Sequence, residues 1–516
     1  MKILLVTGRQ AYRMVMDVAE RIMRENPGLH IDVLALPIPV AAMMNTIYLQ
    51  RELASRIDYV KQFNLVIVPG YTRGDLSEVS EKLGVPVVKG TLYIQDLPLM
   101  INALLRGVKF STIEPADSIL ESEKKRVELD VLEEARKLAL VEKYFDINGL
   151  PISSHYPLVI SEIYVEEPSD LYKYKRVAKY ADLVSIGVSI GCNLLRAREL
   201  INKAKELFSK PVGIDTGELE LAIEVSGDVD FINGIRVSEV GELLRYIDRL
   251  REKPIVLLGD PEKTPVDEAL ELERVVKFLV GKGFSKIIVD PVLMPPLNGL
   301  VESLETIIYL RSRTPSTPLL IGAGNVTELS DVDSIGLNAL LVFIGVELGV
   351  ELYLTTEAST KTRGSTRELR RAIEMAIIAK KLRKPPKDLS FNLLCVKSKK
   401  AMREEPPKPS EIAYVYEKPE WKPDPSGFFR IFVDHDEGVI RVQHYLYGSR
   451  EPLIELRSID PYAILKAVIE RKLASSYTHF FYLGYELSKA KIALMTGREY
   501  IQDKEFFEVN TCSNYF

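Results

Sequence analysis

From about residue 150 to 380 the chain repeats one pattern: a short apolar run, a polar residue at its end, then a longer amphipathic stretch. Runs at 158–163, 183–187, 212–215, 231–233, 255–258, 286–290, 319–322 and 339–344 read as eight strands. A strand apolar on both faces belongs in a parallel sheet covered on both sides. Helical stretches at 194–208, 237–250, 267–282 and 300–311 fill the gaps. Eight strands over roughly 230 residues match a (β/α)8 TIM barrel. The barrel is expected over 149–383.

Residues 1–116 alternate strand and helix, with strands at 2–7, 31–36, 65–69 and 85–89 and an amphipathic stretch at 11–25. That alternation predicts a doubly wound, Rossmann-like α/β domain. Residues 117–143 contain neither Gly nor Pro and keep a helical apolar face at Leu129, Leu132, Ala135 and Leu138. They predict a linker helix within 117–148, started by Asp117 or Ser118. Residues 384–420 turn proline-rich and charged, as a linker or extended surface segment does. Residues 421–516 read as a small α+β domain. It has a hairpin at 428–433 and 439–444, closed by the turn at Asp434–Gly438, and helices at 463–473 and 478–495. The fold class is α/β, a central barrel flanked by these two smaller domains.

Composition narrows the function classes. A net charge of -5 over 516 residues argues against a chain-wide nucleic-acid binder. No apolar run reaches the roughly 18–20 residues of a membrane span, and the short opening run lacks a signal-peptide cleavage site. A cytoplasmic location is expected, with neither nucleic acid nor membrane as partner. Cys192, Cys395 and Cys512 form no CxxC pair, so no sequence-local metal site is expected. The glycine turns at Gly8 and Gly70–Gly74 follow strands but carry neither GxGxxG nor a Walker lysine motif, which favours tight βα connections over phosphate sites.

The candidate chemistry lies on the strand tips. Pro211-Val212-Gly213-Ile214-Asp215-Thr216, Phe231-Ile232-Asn233-Gly234 and Ile287-Ile288-Val289-Asp290-Pro291 each end an apolar run on a carboxylate or amide. Such groups either cap the next helix or face the ligand at the barrel's C-terminal mouth. Three at matching strand ends favour a ligand.

These three motifs resemble the "IDT", "IND" and "LDPG" strand ends of dihydropteroate synthases and pterin-dependent methyltransferases. The resemblance implies that Asp215, Asn233 and Asp290 grip a pterin ring. A carboxylate accepts two donors at once, and an amide serves a donor and an acceptor together. Gly234 stands where the family usually has Asp. The synthases' first-strand Asn, their seventh-strand lysine and their last-strand Arg-x-His are missing. Lys361 and Arg363, in the hydroxyl-rich stretch 355–367, are the candidate catalytic cations. That stretch reads equally as an anion loop or as the solvated start of a helix at 366–382. Asn325, in Gly322-Ala323-Gly324-Asn325-Val326-Thr327, resembles the "SNVS" turn of the methyltransferases, and Glu162 resembles the "GE" ending their first strand.

His479, Glu486 and Lys489 share one helix face, which reads first as a buried face and second as a metal or acid–base site. With the stretch Tyr482-Leu483-Gly484-Tyr485-Glu486-Leu487, the order of the three parts resembles the archaeal dihydropteroate synthase-related proteins across nearly the whole chain.

That resemblance implies biosynthesis of tetrahydromethanopterin or a similar folate-type cofactor. The reaction would condense a hydroxymethyl-dihydropterin diphosphate with an arylamine, with Mg2+ accompanying the diphosphate. Two alternatives stand: a methyl-tetrahydropterin-dependent methyltransferase needing a separate corrinoid protein, and a non-catalytic pterin-binding protein. Homodimerisation is also implied, since family barrels commonly pair.

Overall fold

The computed structural model describes residues 1–399, 409–417, 420 and 422–507. The proline-rich run at 404–408, Trp421 and Cys512 lie outside the described residues. The chain forms two compact units, 1–141 with 374–392, and 142–373 with 393–516.

In the first unit, β1 (Lys2–Gly8), β2 (His30–Leu36), β3 (Leu65–Val68) and β4 (Val87–Lys89) make a parallel sheet in the order β2-β1-β3-β4. Its faces are covered by two separate apolar clusters, one with Ile3, Leu5 and Ile22, the other with Leu4, Val6 and Leu49. This is the three-layer arrangement that strands buried on both faces require.

The helix Glu121–Val141 belongs to this unit and starts later than the capping residues suggested. Asp117 instead accepts the Leu92 N–H (2.7 Å) and pairs with Lys124 (3.1 Å). Lys384 is buried and pairs with Asp96 (3.1 Å), and the Ser390 N–H reaches Glu128 (2.8 Å). Residues 384–390, which read as the start of a linker, are thus fixed by buried charge.

The second unit opens with a small hairpin, β5 (Phe145–Ile147) and β6 (Leu150–Ile152). Eight parallel strands follow: β7 (Leu158–Tyr164), β8 (Leu183–Val188), β9 (Val212–Thr216), β10 (Phe231–Arg236), β11 (Ile255–Leu258), β12 (Ile287–Asp290), β13 (Leu320–Gly322) and β14 (Leu352–Thr356). Their order is β12-β11-β10-β9-β8-β7-β14-β13, and a parallel bridge between Val289 and Leu319 joins the two ends. The (β/α)8 barrel is therefore present.

One strand was misplaced. Residues 339–344 lie inside the helix Ser334–Leu348, and the eighth strand is β14. A continuous apolar run does not distinguish a buried helix from a strand. Gly349, left-handed at φ 76°, ends that helix and turns the chain into β14. The segment read as a helix at 237–250 is a series of short turns, Val237–Glu239, Val240–Leu243, Leu244–Tyr246 and Ile247–Leu250.

Beneath the barrel, Glu351 is fully buried. It accepts from Arg311 (2.7 Å), the Tyr144 hydroxyl (2.9 Å) and the Leu319 N–H (2.8 Å).

The C-terminal part has three antiparallel strands, β15 (Phe428–Asp434), β16 (Val439–Tyr445) and β17 (Ile454–Ser458). The helices Pro461–Glu470 and Tyr477–Thr496 pack on it through Ile464, Val468, Leu483 and Leu487. It meets the loops at the barrel's C-terminal end. Arg363 donates to the Gly497 carbonyl (2.8 Å) and pairs with Glu499 (2.9 Å). Arg176 lies against the turn at Gly438.

Candidate functional site

Strand register brings the polar tips to one end of the barrel. Asp215 pairs with Gly187 of β8 and with Asn233 of β10, Leu258 pairs with Asp290, and Thr356 pairs with Glu162. Asp215 and Asp290 stand at the C-terminal ends of β9 and β12, while β7 and β10 run two and three residues beyond Glu162 and Asn233. None of the three central residues caps a helix. The helices that follow are entered through Glu218, Arg236 and Gly299.

Asn233 donates through Nδ2 to Asp215 Oδ2 (2.5 Å), and its own Oδ1 is buried without a partner among the described residues. This geometry rests on the backbone at Gly234. The residue has φ 92°, and the β10–β11 register slips between Ile232 and Ile235. An Asp there, as in the synthases, would enter the left-handed region at a cost that glycine avoids. A Cβ at the same place would also meet Asp215 Oδ1 at 3.4 Å.

Gly187 serves the site differently. A Cβ on it would come within 2.7 Å of Glu162 Oε1, so the bare backbone lets the Glu162 carboxyl lean across β8 towards Asp215.

Asp290 is buried, and its Oδ1 accepts the Val292 N–H (2.8 Å). Val292 is a β-branched residue at φ 56°, a conformation such side chains rarely adopt. Strain of this kind costs about 1–3 kcal/mol and gathers where a side chain must be aimed. Asn325 follows β13 in the short helix Gly324–Glu328, and its Nδ2 donates to the Leu293 carbonyl (3.0 Å) in the loop after β12.

Electrostatics unite these groups. Burial, assisted by the charge of Asp215, raises Asp290 to about 7 and Glu162 to about 7. Glu328 adds to the rise at Glu162. Asp215 rises to about 6 by burial, held back by the Asn233 hydrogen bond and the more distant Arg236. The result is a set of carboxyls that take up and release protons near neutrality. Such a set suits a neutral ligand rich in N–H donors better than a bare anion.

The sequence reading missed Glu268. It lies on the helix Pro265–Gly281, accepts from the Thr306 hydroxyl (2.9 Å), and keeps a buried Oε1 with no partner at hydrogen-bonding geometry among the described residues. A Cβ at Gly259, in the loop after β11, would collide with that oxygen. Burial and the nearby Asp290 and Asp260 raise Glu268 to about 7. The signal was present, because Glu268 continues the apolar stripe Leu272, Val276, Leu279 as its one charged position.

Lys361 and Arg363 stand apart from these carboxyls in their contacts. Lys361 pairs with the exposed Asp331 (3.0 Å), and Arg363 holds the C-terminal segment at Gly497 and Glu499. Glu357 takes the N–H groups of Gly364 (3.0 Å) and Thr366 (3.1 Å) at the start of the helix Ser365–Lys381. The chain's own carboxylate thus sits where an external anion would dock. Among the described residues, no three His, Cys, Asp or Glu side chains converge as a metal site, and no helix is long and apolar enough to cross a membrane.

Residues 423–503 match the family described as PterinBD-DUF4346, and residues 1–92 match a family of unknown function, DUF6513. Among solved structures, the dihydropteroate synthase of Yersinia pestis with a pterine-sulfa conjugate is 19% identical. It covers 46% of this chain and 99% of its own, with a TM-score of 0.38. The synthase of Thermus thermophilus is 17% identical, covering 43% and 93%, with a TM-score of 0.35. A protein of Methanocaldococcus jannaschii, "Uncharacterized protein MJ0107", is 32% identical over 98% of this chain and 99% of its own length. The chain belongs to the family of that archaeal protein.

Proposed function

We propose that this protein is an enzyme that binds a pterin at the C-terminal mouth of its barrel through Asp215, Asn233 and Asp290. One observation carries the reading: the part-buried Asp215–Asn233 pair leaves a buried amide oxygen without a donor among the described residues, with a buried carboxyl, Asp290, nearby. A pterin edge offers ring N–H and amino donors beside a carbonyl. A planar molecule without them would leave these atoms unpaired at roughly 1–3 kcal/mol each.

The reaction that follows from the family is condensation in tetrahydromethanopterin or folate-type cofactor biosynthesis. The arylamine nitrogen would bond to the pterin's methylene carbon as the carbon–oxygen bond to diphosphate breaks, with the amine proton passing to solvent or a carboxylate. Lys361 and Arg363 would steady the leaving group, and Mg2+ would arrive with it. For this, Arg363 must exchange Glu499, and the amides of Gly364 and Thr366 must exchange Glu357, for diphosphate oxygens.

The second reading is transfer of a methyl group from methyl-tetrahydropterin to a corrinoid partner. Glu162 and Asp290, held near neutrality, would supply a proton to the pterin nitrogen that loses the methyl group. Asn325 would orient that side of the ring. This route asks nothing of the occupied anion loop, and of the two it fits the present contacts better.

The test is an assay of the purified chain in two arms. One supplies hydroxymethyl-dihydropterin diphosphate with 4-aminobenzoate or its ribosylated phosphate. The other supplies methyl-tetrahydropterin with a corrinoid. Turnover in one arm selects the reaction. Asp290-dependent pterin binding without turnover in either selects a non-catalytic binding protein. No binding of any pterin overturns the proposal.

A further inference from the structure

The C-terminal domain contains a cavity of about 570 Å3, and its walls are not those of a packing defect. That volume lies within the roughly 300–1,000 Å3 typical of small-molecule sites. Phe428, Phe429, Tyr482 and Tyr485 line it, with His479 and Lys489 among the polar groups.

The histidine is held in one orientation. Asp424, itself buried, accepts from His479 Nδ1 (3.1 Å). The same carboxylate takes the N–H groups of Ser475 (2.8 Å), Ser476 (2.8 Å) and Ser426 (2.9 Å), and the Ser475 hydroxyl (2.7 Å). So many donors hold Asp424 ionised, well below the usual carboxylate range. With its Nδ1 held by the ionised Asp424, His479 presents Nε2 as its remaining polar position. Nε2 has no partner among the described residues. The ring is set by Phe429 (centroids 5.1 Å apart, 59°) and Tyr482 (6.3 Å, 39°).

The other polar groups of the lining are equally built. Lys489 and Glu486 form a buried pair (2.7 Å). The Tyr500 hydroxyl donates to Glu486 (2.6 Å), and the Lys489 ammonium donates to the Lys504 carbonyl (2.8 Å). An ammonium has three protons, so Lys489 keeps one for a ligand acceptor. The helix face that read first as buried packing therefore carries a carboxylate-oriented imidazole and a buried ion pair on one cavity.

We propose that this cavity is a second small-molecule site, separate from the barrel mouth, for a planar aromatic ring bearing an N–H donor. The ring would lie against Phe429 and Tyr482, its N–H donating to His479 Nε2 and an acceptor on the ring or its substituent meeting Lys489. Aromatic walls give sequence-independent stacking area, and the two polar groups fix the ring's orientation. Two sources share this chemistry: an arylamine and a pterin. The proposal does not depend on the barrel reading, and the experiment separates them.

The full chain is titrated by calorimetry with 4-aminobenzoate and, separately, with 6-hydroxymethylpterin. The expected result is saturable binding of at least one probe that weakens about tenfold or more in His479→Gln, as loss of an oriented acceptor predicts. Asp290→Ala leaves that binding event unchanged. Tyr485→Ala, at a half-exposed wall position whose ring lies beneath the Lys489 ammonium (5.0 Å), supplies the same readout should His479→Gln fail to fold. The proposal is overturned if neither probe saturates. It is also overturned if His479→Gln and Tyr485→Ala both bind as tightly as wild type, or if Asp290→Ala abolishes all binding.

Discussion

Replacing Asp290 by Asn separates burial from bonding at the centre of the site. Burial, with the charge of Asp215 behind it, lifts Asp290 from 3.8 to about 7. Between those values the folded chain keeps a proton that the unfolded chain has released. Its contribution is therefore full below about pH 4 and lost as pH rises through about 7. Roughly three units at about 1.4 kcal/mol each give a full penalty on the order of 4 kcal/mol. Asn removes the ionisation and keeps the oxygen that accepts the Val292 N–H (2.8 Å). Urea unfolding followed by far-UV circular dichroism should find Asp290→Asn more stable than wild type by about 2–4 kcal/mol at pH 8 and within about 1 kcal/mol of it at pH 4.5. Pterin affinity should meanwhile fall about tenfold or more, since an amide donor would face a ligand donor. A variant no more stable than wild type at pH 8, or shifted equally at both pH values, would refute the claim that burial sets the state of Asp290.

Other positions test the surrounding framework. Gly213→Ala drives a Cβ into the Phe231 ring and should cost about 1–3 kcal/mol, read as a lower urea midpoint; an unchanged midpoint would mean that β9 and β10 are not packed this closely. Arg311→Met strips the guanidinium from buried Glu351, whose pKa burial already raises. Stability should drop by about 3–5 kcal/mol at pH 8 and by less at pH 5, where Glu351 is more readily protonated; an equal loss at both would point to packing instead. Glu357→Gln weakens the acceptor at the start of the helix Ser365–Lys381 and should cost about 1 kcal/mol in thermal unfolding. If diphosphate docks there, the same variant should bind inorganic diphosphate more tightly than wild type does.

Why some of this was legible in sequence follows from the forces involved. Strands buried on both faces must be apolar throughout, so a polar residue at the tip, as in Asp215, Asn233 and Asp290, stands out against its run. The same rule misled at 339–344, where a helix apolar on all sides resembles a strand, and with the eighth strand placed there β14, with its run Leu352-Tyr353-Leu354, went unassigned. β17 escaped because Ile454-Glu455-Leu456-Arg457 is short and half-buried. Glu268 was visible as a charge on an apolar stripe. The partners of Arg363 were not, because Glu499 lies 136 residues away and no local period encodes that contact. The same holds for Asp424 and His479, 55 residues apart.

The most direct measurement is calorimetric titration with a reduced pterin at pH 6.5, in two buffers of different ionisation enthalpy. Donors from the ring should turn the neutral carboxyl of Asp290 into a carboxylate, so saturable binding should release protons to the buffer. Asp290→Ala should abolish the release and the heat of the binding event that carries it, leaving only an event that belongs to the C-terminal cavity. Binding that is undiminished in Asp290→Ala, or the absence of any pterin binding to the wild-type chain, would contradict the account.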